Sequence, residues 1–254
     1  EGPAGHRHCL SPGGEGKQSG PPHLTREENP MAWEPLPKTV TLTFTTPKPE
    51  AFTLDPAKTA LVIVDMQNRF CKGNSQRCTD AIEGNVRLLT KARAAGVKVI
   101  FIQSVRSLDA LEVTAFGKEP FLVEGTPEVE IVSEIAPLPG EIVIQKRSHD
   151  PFARTELDET LRRQGILPTE TTIIVTGVSA AVCAHAASLG FSNRHYMTLV
   201  PMDCQAAQTV EDEARIYDQY QQKGYAYDMA FTLSTLIEFV PVAVEAGELV
   251  ATPA

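Results

Sequence analysis

TTIIVTGVSAAVCAHAASL, residues 171–189, is the stretch whose reading decides the fold. It opens with a β-branched run, Thr171 to Val175, and a parallel strand covered on both faces is continuously apolar in this way. Gly177 bounds the run. An alanine-rich segment of good helix propensity follows, with Gly190 as its natural stop. Cys183 falls in the first turn of that helix, where unpaired N–H groups and the helix dipole favour a thiolate. A strand, a tight glycine turn and a helix opening on a thiol make a nucleophile-bearing geometry. A small cysteine filling space in a helix fits the same letters.

Two other strand ends bear on that thiol. Residues 60–65, ALVIVD, form an apolar run that stops at Asp65, and residues 141–146, EIVIQK, form another that stops at Lys146. In open α/β sheets the carboxyl ends of the strands line the ligand crevice. A carboxylate, an ammonium and a thiol at three such ends are therefore able to converge. Each acid or base also has a plainer reading, Asp65 as a strand-end cap and Lys146 as a solvated strand end.

Around these three points the chain alternates strands and helices. Strands are expected at 60–66, 97–102, 141–146, 171–176, 195–200 and 229–233. Helices are expected at 80–95, closed by Gly96, at 155–164 and 210–223, and in a final stretch capped by Ser234. The alternation of residues 39–46, TVTLTFTT, reads as an edge strand or extended arm. Residues 107–140 are long and irregular, and loops of this length tend to shape a pocket mouth. Cys71 and Cys78 lie in a polar loop, 71–79, at a spacing too wide for a C-x-x-C motif, which speaks against a metal or redox role. Six strands alternating with helices make a parallel α/β sandwich.

The chain has 254 residues, 42% hydrophobic and 22% charged, ordinary values for a globular α/β domain with a sizeable core. A net charge of −9 argues against nucleic acid or an anionic membrane surface as the partner. No window approaches the ~18 consecutive apolar residues of a membrane span. Five cysteines at irregular spacings do not form a secreted disulfide framework and point to a reducing, cytoplasmic setting. Residues 1–30, rich in Gly, Pro, Ser and His, read as a disordered leader, non-native or upstream of Met31, with 31–254 as a single domain.

Three motifs in order, VIVDMQN at 62–68, Lys146 to Phe152 followed by TELDETLR, and TGVSAAVC at 176–183, resemble the isochorismatase-like cysteine hydrolase superfamily. The resemblance covers about Thr59 to Phe239. It implies a three-layer α/β/α sandwich whose six-stranded parallel sheet has the Rossmann-like order 3-2-1-4-5-6. It also implies roles. Cys183 attacks a carbonyl, and Asp65 takes its proton, passes it to the leaving nitrogen and then activates water. Lys146 holds Asp65 and stabilises negative charge. Backbone N–H groups around Ser179 and Cys183 form the oxyanion hole, next to a non-proline cis peptide at Val178–Ser179. Gln67, Arg69, Phe70, Arg106, Arg147 and Phe152 are the candidate substrate-binding residues.

The activity so implied is metal-independent hydrolysis of a C–N bond in a small amide or ureido compound through a Cys thioester, with no cofactor, in a homo-oligomer (dimer or tetramer). A vinyl-ether hydrolase of the isochorismatase type and a catalytically idle binding protein are the alternatives. Cys183 speaks for C–N chemistry, since the isochorismate-cleaving branch has Gly at its position. The nicotinamidase branch holds a metal through an Asp-x-His pattern after the second strand, and here that segment reads Gln103, Ser104, Val105, Arg106. Two departures fall near the substrate: Ala180 and Ala181 replace a common Thr-Asn, and His149, Asp150 and Pro151 replace a common Tyr-Ser-Ala. His185, on another helix face than Cys183, reads as a structural histidine. Arg69, Arg106 and Arg147 each follow a strand end; two of them facing inward would favour a substrate carboxylate. Three solvated loop arginines is the plainer reading.

Overall fold

The computed structural model describes residues 41–72, 75–108, 119–222 and 228–242. The chain divides into two units, Glu1–Leu42 and Thr43–Ala254. The first, with the expected leader, lies almost wholly outside the described residues; everything below concerns the second.

Strand β1 (Phe52–Leu54) is followed by β2 (Thr59–Val64), α1 (Asn68–Cys71), α2 (Gln76–Ala95), β3 (Lys98–Ser104), β4 (Ile142–Lys146) and α3 (Leu157–Arg163). Then come β5 (Thr172–Val178), α4 (Cys183–Ser192), β6 (Met197–Pro201), β7 (Gln205–Ala206), α5 (Val210–Gln221), β8 (Met229–Thr232) and β9 (Ile237–Phe239). The main sheet runs β4-β3-β2-β5-β6-β8, with every neighbouring pair parallel. The six expected strands thus stand in the expected order. The short β7 adds a seventh, paired with the end of β5.

Alternation along β2 builds both layers. Leu61 and Ile63 pack with Leu88, Leu89 and Ala92 of α2 on one face, while Ala60, Val62 and Val64 pack with Ala184, Ala187 and Phe191 of α4 on the other. Every residue of β2 is buried, so its sequence is apolar without a break. Each such Leu or Ile contributes roughly 1.5–3 kcal/mol by leaving water.

Gly177 fixes how closely β5 follows β2. It has φ +102°, and a Cβ there would lie 1.9 Å from the Val64 carbonyl oxygen. This approach brings the end of β2 against the turn leading into α4. Gly177→Ala is expected to cost about 3 kcal/mol, from overpacking against backbone and a disfavoured φ, measurable as a lower urea midpoint.

Several local expectations are corrected. Residues 41–50 form no strand: Pro47 and Pro49 interrupt them, and Thr45 is tied instead to Asp218 and Gln221 of α5. The strand lies further on, at β1, which pairs with β9 in a separate parallel two-stranded sheet. β9 occupies the place of the expected final helix, of which only a single 3₁₀ turn, Ser234–Leu236, forms. Helix α4 runs through Gly190 to Ser192, because Gly190 is the contact point for the Phe152 ring, which would stand 2.7 Å from a Cβ.

The polar loop at 71–79 is also mostly helix. α1 ends at Cys71, and α2 starts at Gln76 with Ser75 accepting the Cys78 N–H. The end of α1 and the start of α2 bring the Cys71 and Cys78 sulfurs to 2.7 Å, a juxtaposition their spacing in sequence concealed. Among the described residues, no helix is long and apolar enough to cross a membrane.

Candidate active site

The carboxyl ends of β2, β3 and β4 and the first turn of α4 meet at one point. At the end of β2 the chain turns at Asp65 with φ 50°, directing a carboxylate that is fully buried. Lys146, the last residue of β4, reaches across β3 to place its ammonium 2.8 Å from Asp65 Oδ2. Ser104, the last residue of β3, stands between them. Its hydroxyl donates to the Asp65 carboxylate (3.0 Å to each oxygen) and accepts from Lys146 Nζ at 2.8 Å. Lys146 Nζ also donates to the Ser148 carbonyl at 3.0 Å and lies 3.4 Å from Cys183 Sγ. An ammonium buried this deeply is stable only with such a full complement of acceptors. Acid, base and thiol therefore do converge.

The turn into α4 carries the cis peptide Val178–Ser179. Val182 N and Ala184 N donate to the Ser179 carbonyl, Ala181 N to Ser179 Oγ, and Ala180 N to the Ala206 carbonyl. Cys183 N heads the helix with no such acceptor among the described residues.

Burial pushes the Cys183 thiol up to about 12, with the Asp65 carboxylate adding to it and Lys146 opposing it. This corrects the expectation of a lowered thiol pKa: the helix terminus and ammonium do not outweigh the dry, acidic surroundings. The thiol thus keeps its proton at neutral pH. A group raised from 9.0 to about 12 on folding favours the folded state fully below pH 9 and loses that contribution as pH climbs towards 12. Melting temperature should fall through that range. Cys183→Ala should make the fall shallower without abolishing it, because Cys78 and Cys204 are raised in the same direction.

A cavity of about 530 Å³ opens over the sulfur. Cys183, Ser179, Arg69, Phe70, Arg106 and His149 line it, and Phe121 and Leu122 of the long loop complete a wall. Residues 109–118 of that loop lie outside the described residues. Arg69 pairs with Glu128 at 3.0 Å, and the Arg106 guanidinium lies 4.0 Å over the Phe121 ring.

The other candidates stand elsewhere. Gln67 is buried and bonds the backbone of Ser104 and Val129, so it braces the site from behind. Phe152 packs edge-on to Phe191 beneath α4, and Arg147 is exposed without lining the cavity. His185 bonds Tyr220 OH at 2.7 Å, a structural contact, and burial lowers its pKa. Two participants were not foreseen. Ser104 carries no motif of its own, although its place at a strand end between two others was a usable signal. His149, noted only as a departure, lies with Nδ1 3.5 Å from Cys183 Sγ. Among the described residues, no group of three potential ligands is placed to hold a metal.

Fold and cluster define a class, a parallel α/β domain with thiol, carboxylate and ammonium gathered at its strand ends. The chain belongs to the isochorismatase domain family, whose model matches residues 59–227. It is similar to the ureidoacrylate amidohydrolase RutB of Serratia proteamaculans, 29% identical over 243 residues, covering 84% of this chain and 94% of that protein. RutB of Pantoea ananatis is also 29% identical, over 201 residues, or 67% and 79% of the two chains. Among solved structures, N-carbamoylsarcosine amidase from Thermoplasma acidophilum superposes with a TM-score of 0.59 at 25% identity, covering 70% of this chain and 96% of that one.

Proposed function

We propose that this protein is a cysteine amidohydrolase that cleaves a C–N bond in a small ureido or amide compound through a Cys183 thioester. The observation that carries this reading is Lys146 Nζ lying 2.8 Å from the Asp65 carboxylate and 3.4 Å from the Cys183 sulfur. An idle family member has no need to keep these groups in contact. The relatives named for ureidoacrylate and N-carbamoylsarcosine act, by those names, on ureido compounds, which fits the same chemistry.

In acylation the Cys183 sulfur attacks the carbonyl while its proton passes to Asp65. The developing oxyanion meets the Cys183 N–H, and Lys146 offsets the negative charge. Asp65 then gives the proton to the departing nitrogen. The test is a screen of ureido acids and simple amides for ammonia release, with Cys183→Ala as the control. No release from any of them would remove the reading.

With Arg69 paired to Glu128, Arg106 on the cavity wall favours a substrate that also bears a carboxylate, as both ureidoacrylate and N-carbamoylsarcosine do. Arg106→Ala should raise KM for such a substrate roughly 10- to 100-fold, the worth of a lost charge-assisted hydrogen bond, with kcat little changed. An uncharged amide analogue should show no such rise. Steady-state kinetics on the two substrates separate the cases.

A further inference from the structure

We propose that Cys71 and Cys78 form a second reactive site, a thiol pair that hydrogen peroxide entering the cavity oxidises to an intramolecular disulfide. The proposal does not depend on Cys183 being the nucleophile. Spacing in sequence speaks against redox chemistry for this pair, but the fold closes the gap. Cys71 ends α1, Cys78 lies in the first turn of α2, and their sulfurs are in contact at 2.7 Å. Both are free thiols, 1% and 4% exposed.

The contact is held by groups other than the sulfurs. Thr79 Oγ1 donates to the Cys71 carbonyl at 2.8 Å and to the Ser75 carbonyl at 3.2 Å, while Ser75 Oγ accepts the Cys78 N–H at 3.4 Å. Two small side chains filling space would need volume alone; access sets this pair apart. Cys78, with Phe70 and Ser75, lines the cavity over Cys183. Hydrogen peroxide is little larger than water and fits that route, whereas a bulky disulfide reagent does not reach a thiol 4% exposed. Cys204 supplies the contrast: it is buried beside Asp203 rather than a second thiol, and does not line the cavity. Arg69 and Phe70, next to Cys71 in the chain, stand on the cavity wall, so a bond from Cys71 to α2 fastens that wall to the core.

The chemistry runs in two steps. The Cys78 sulfur attacks one peroxide oxygen, the O–O bond breaks, and the departing hydroxide leaves as water with the thiol proton, which makes Cys78 a sulfenic acid. The Cys71 sulfur then attacks the Cys78 sulfur, the S–O bond breaks, and a second water leaves with the Cys71 proton. Two thiols lose two electrons in all, and one peroxide is reduced to two waters. The hydrogen bond to Cys71, with burial, raises the Cys78 pKa. The attacking thiolate is therefore scarce, and oxidation takes minutes to hours.

The experiment exposes wild-type and Cys183→Ala protein to millimolar hydrogen peroxide for hours, alkylates the remaining thiols under denaturing conditions and maps the tryptic peptides. In both proteins, residues 70–72 (FCK) and 78–87 (CTDAIEGNVR) should be recovered joined, and should separate again with dithiothreitol. Cys204 should be recovered alkylated. In Cys71→Ser, dimedone should trap Cys78 as its sulfenic acid, several-fold more than it traps Cys71 in Cys78→Ser, because Cys78 and not Cys71 lines the cavity. Recovery of Cys71 and Cys78 as alkylated thiols, or joined to other cysteines instead of each other, would overturn the pair. Dimedone labelling of Cys71 in Cys78→Ser at or above that of Cys78 in Cys71→Ser would overturn the cavity route. Ammonia release enters none of these readouts, so a failed substrate screen and a failed peptide link are told apart.

Discussion

Replacing Cys183 by alanine is expected to lower kcat on the true substrate by on the order of 10⁴-fold or more, the scale seen when a covalent nucleophile is removed from a site acting as a unit. The fold should survive, since only one sulfur at the head of α4 is lost and the layer beneath it is made by Ala184, Ala187 and Phe191. Cys183→Ser should fall nearly as far. Asp65 would face a hydroxyl far less acidic than a thiol, in surroundings that already push even the thiol up to about 12. Circular dichroism and melting temperature, compared with turnover, separate loss of chemistry from loss of structure.

Lys146→Met is expected to destabilise the protein by about 3–5 kcal/mol as well as to inactivate it, because it strands a buried carboxylate. The two side chains are 0% and 1% exposed, so water cannot take the place of the lost ammonium. The acceptors Ser104 Oγ and the Ser148 carbonyl lose their donor at the same time. Removing the acid as well, in Asp65→Leu/Lys146→Met, should recover much of the stability and none of the activity. Urea midpoints at constant m-value measure both. A loss below about 1 kcal/mol for Lys146→Met would mean that the pair is solvated in solution, the outcome typical of surface ion pairs.

The main sheet was legible because its central strands β2 and β5 are buried on both faces and read as apolar runs, and because the runs of β2 and β4 stop at charged residues. Val64–Asp65 and Gln145–Lys146 mark both the edge of the core and the start of the site. β1, β7 and β9 were not legible, being two or three residues long and set by pairing rather than by pattern. Ser104 and Gln67 show the limit for the site itself. A serine and a glutamine near strand ends look alike in sequence, yet one joins acid to lysine while the other braces the backbone. The direction of the Cys183 shift was missed for a related reason: helix dipole and ammonium are visible in the letters, whereas depth of burial is a property of the packed whole. The contact of Cys71 with Cys78 arises because one ends a helix and the other lies in the first turn of the next, helices that a polar composition disguised.

The account turns on a covalent bond to one sulfur. Rapid quenching of wild-type protein with a ureido acid or amide that it hydrolyses, followed by mass spectrometry of the digested chain, should place an acyl group on the peptide carrying Cys183, formed no more slowly than ammonia is released and absent from Cys183→Ala. Ammonia released at an undiminished rate by Cys183→Ala, with no acylated peptide in the wild type, would contradict it.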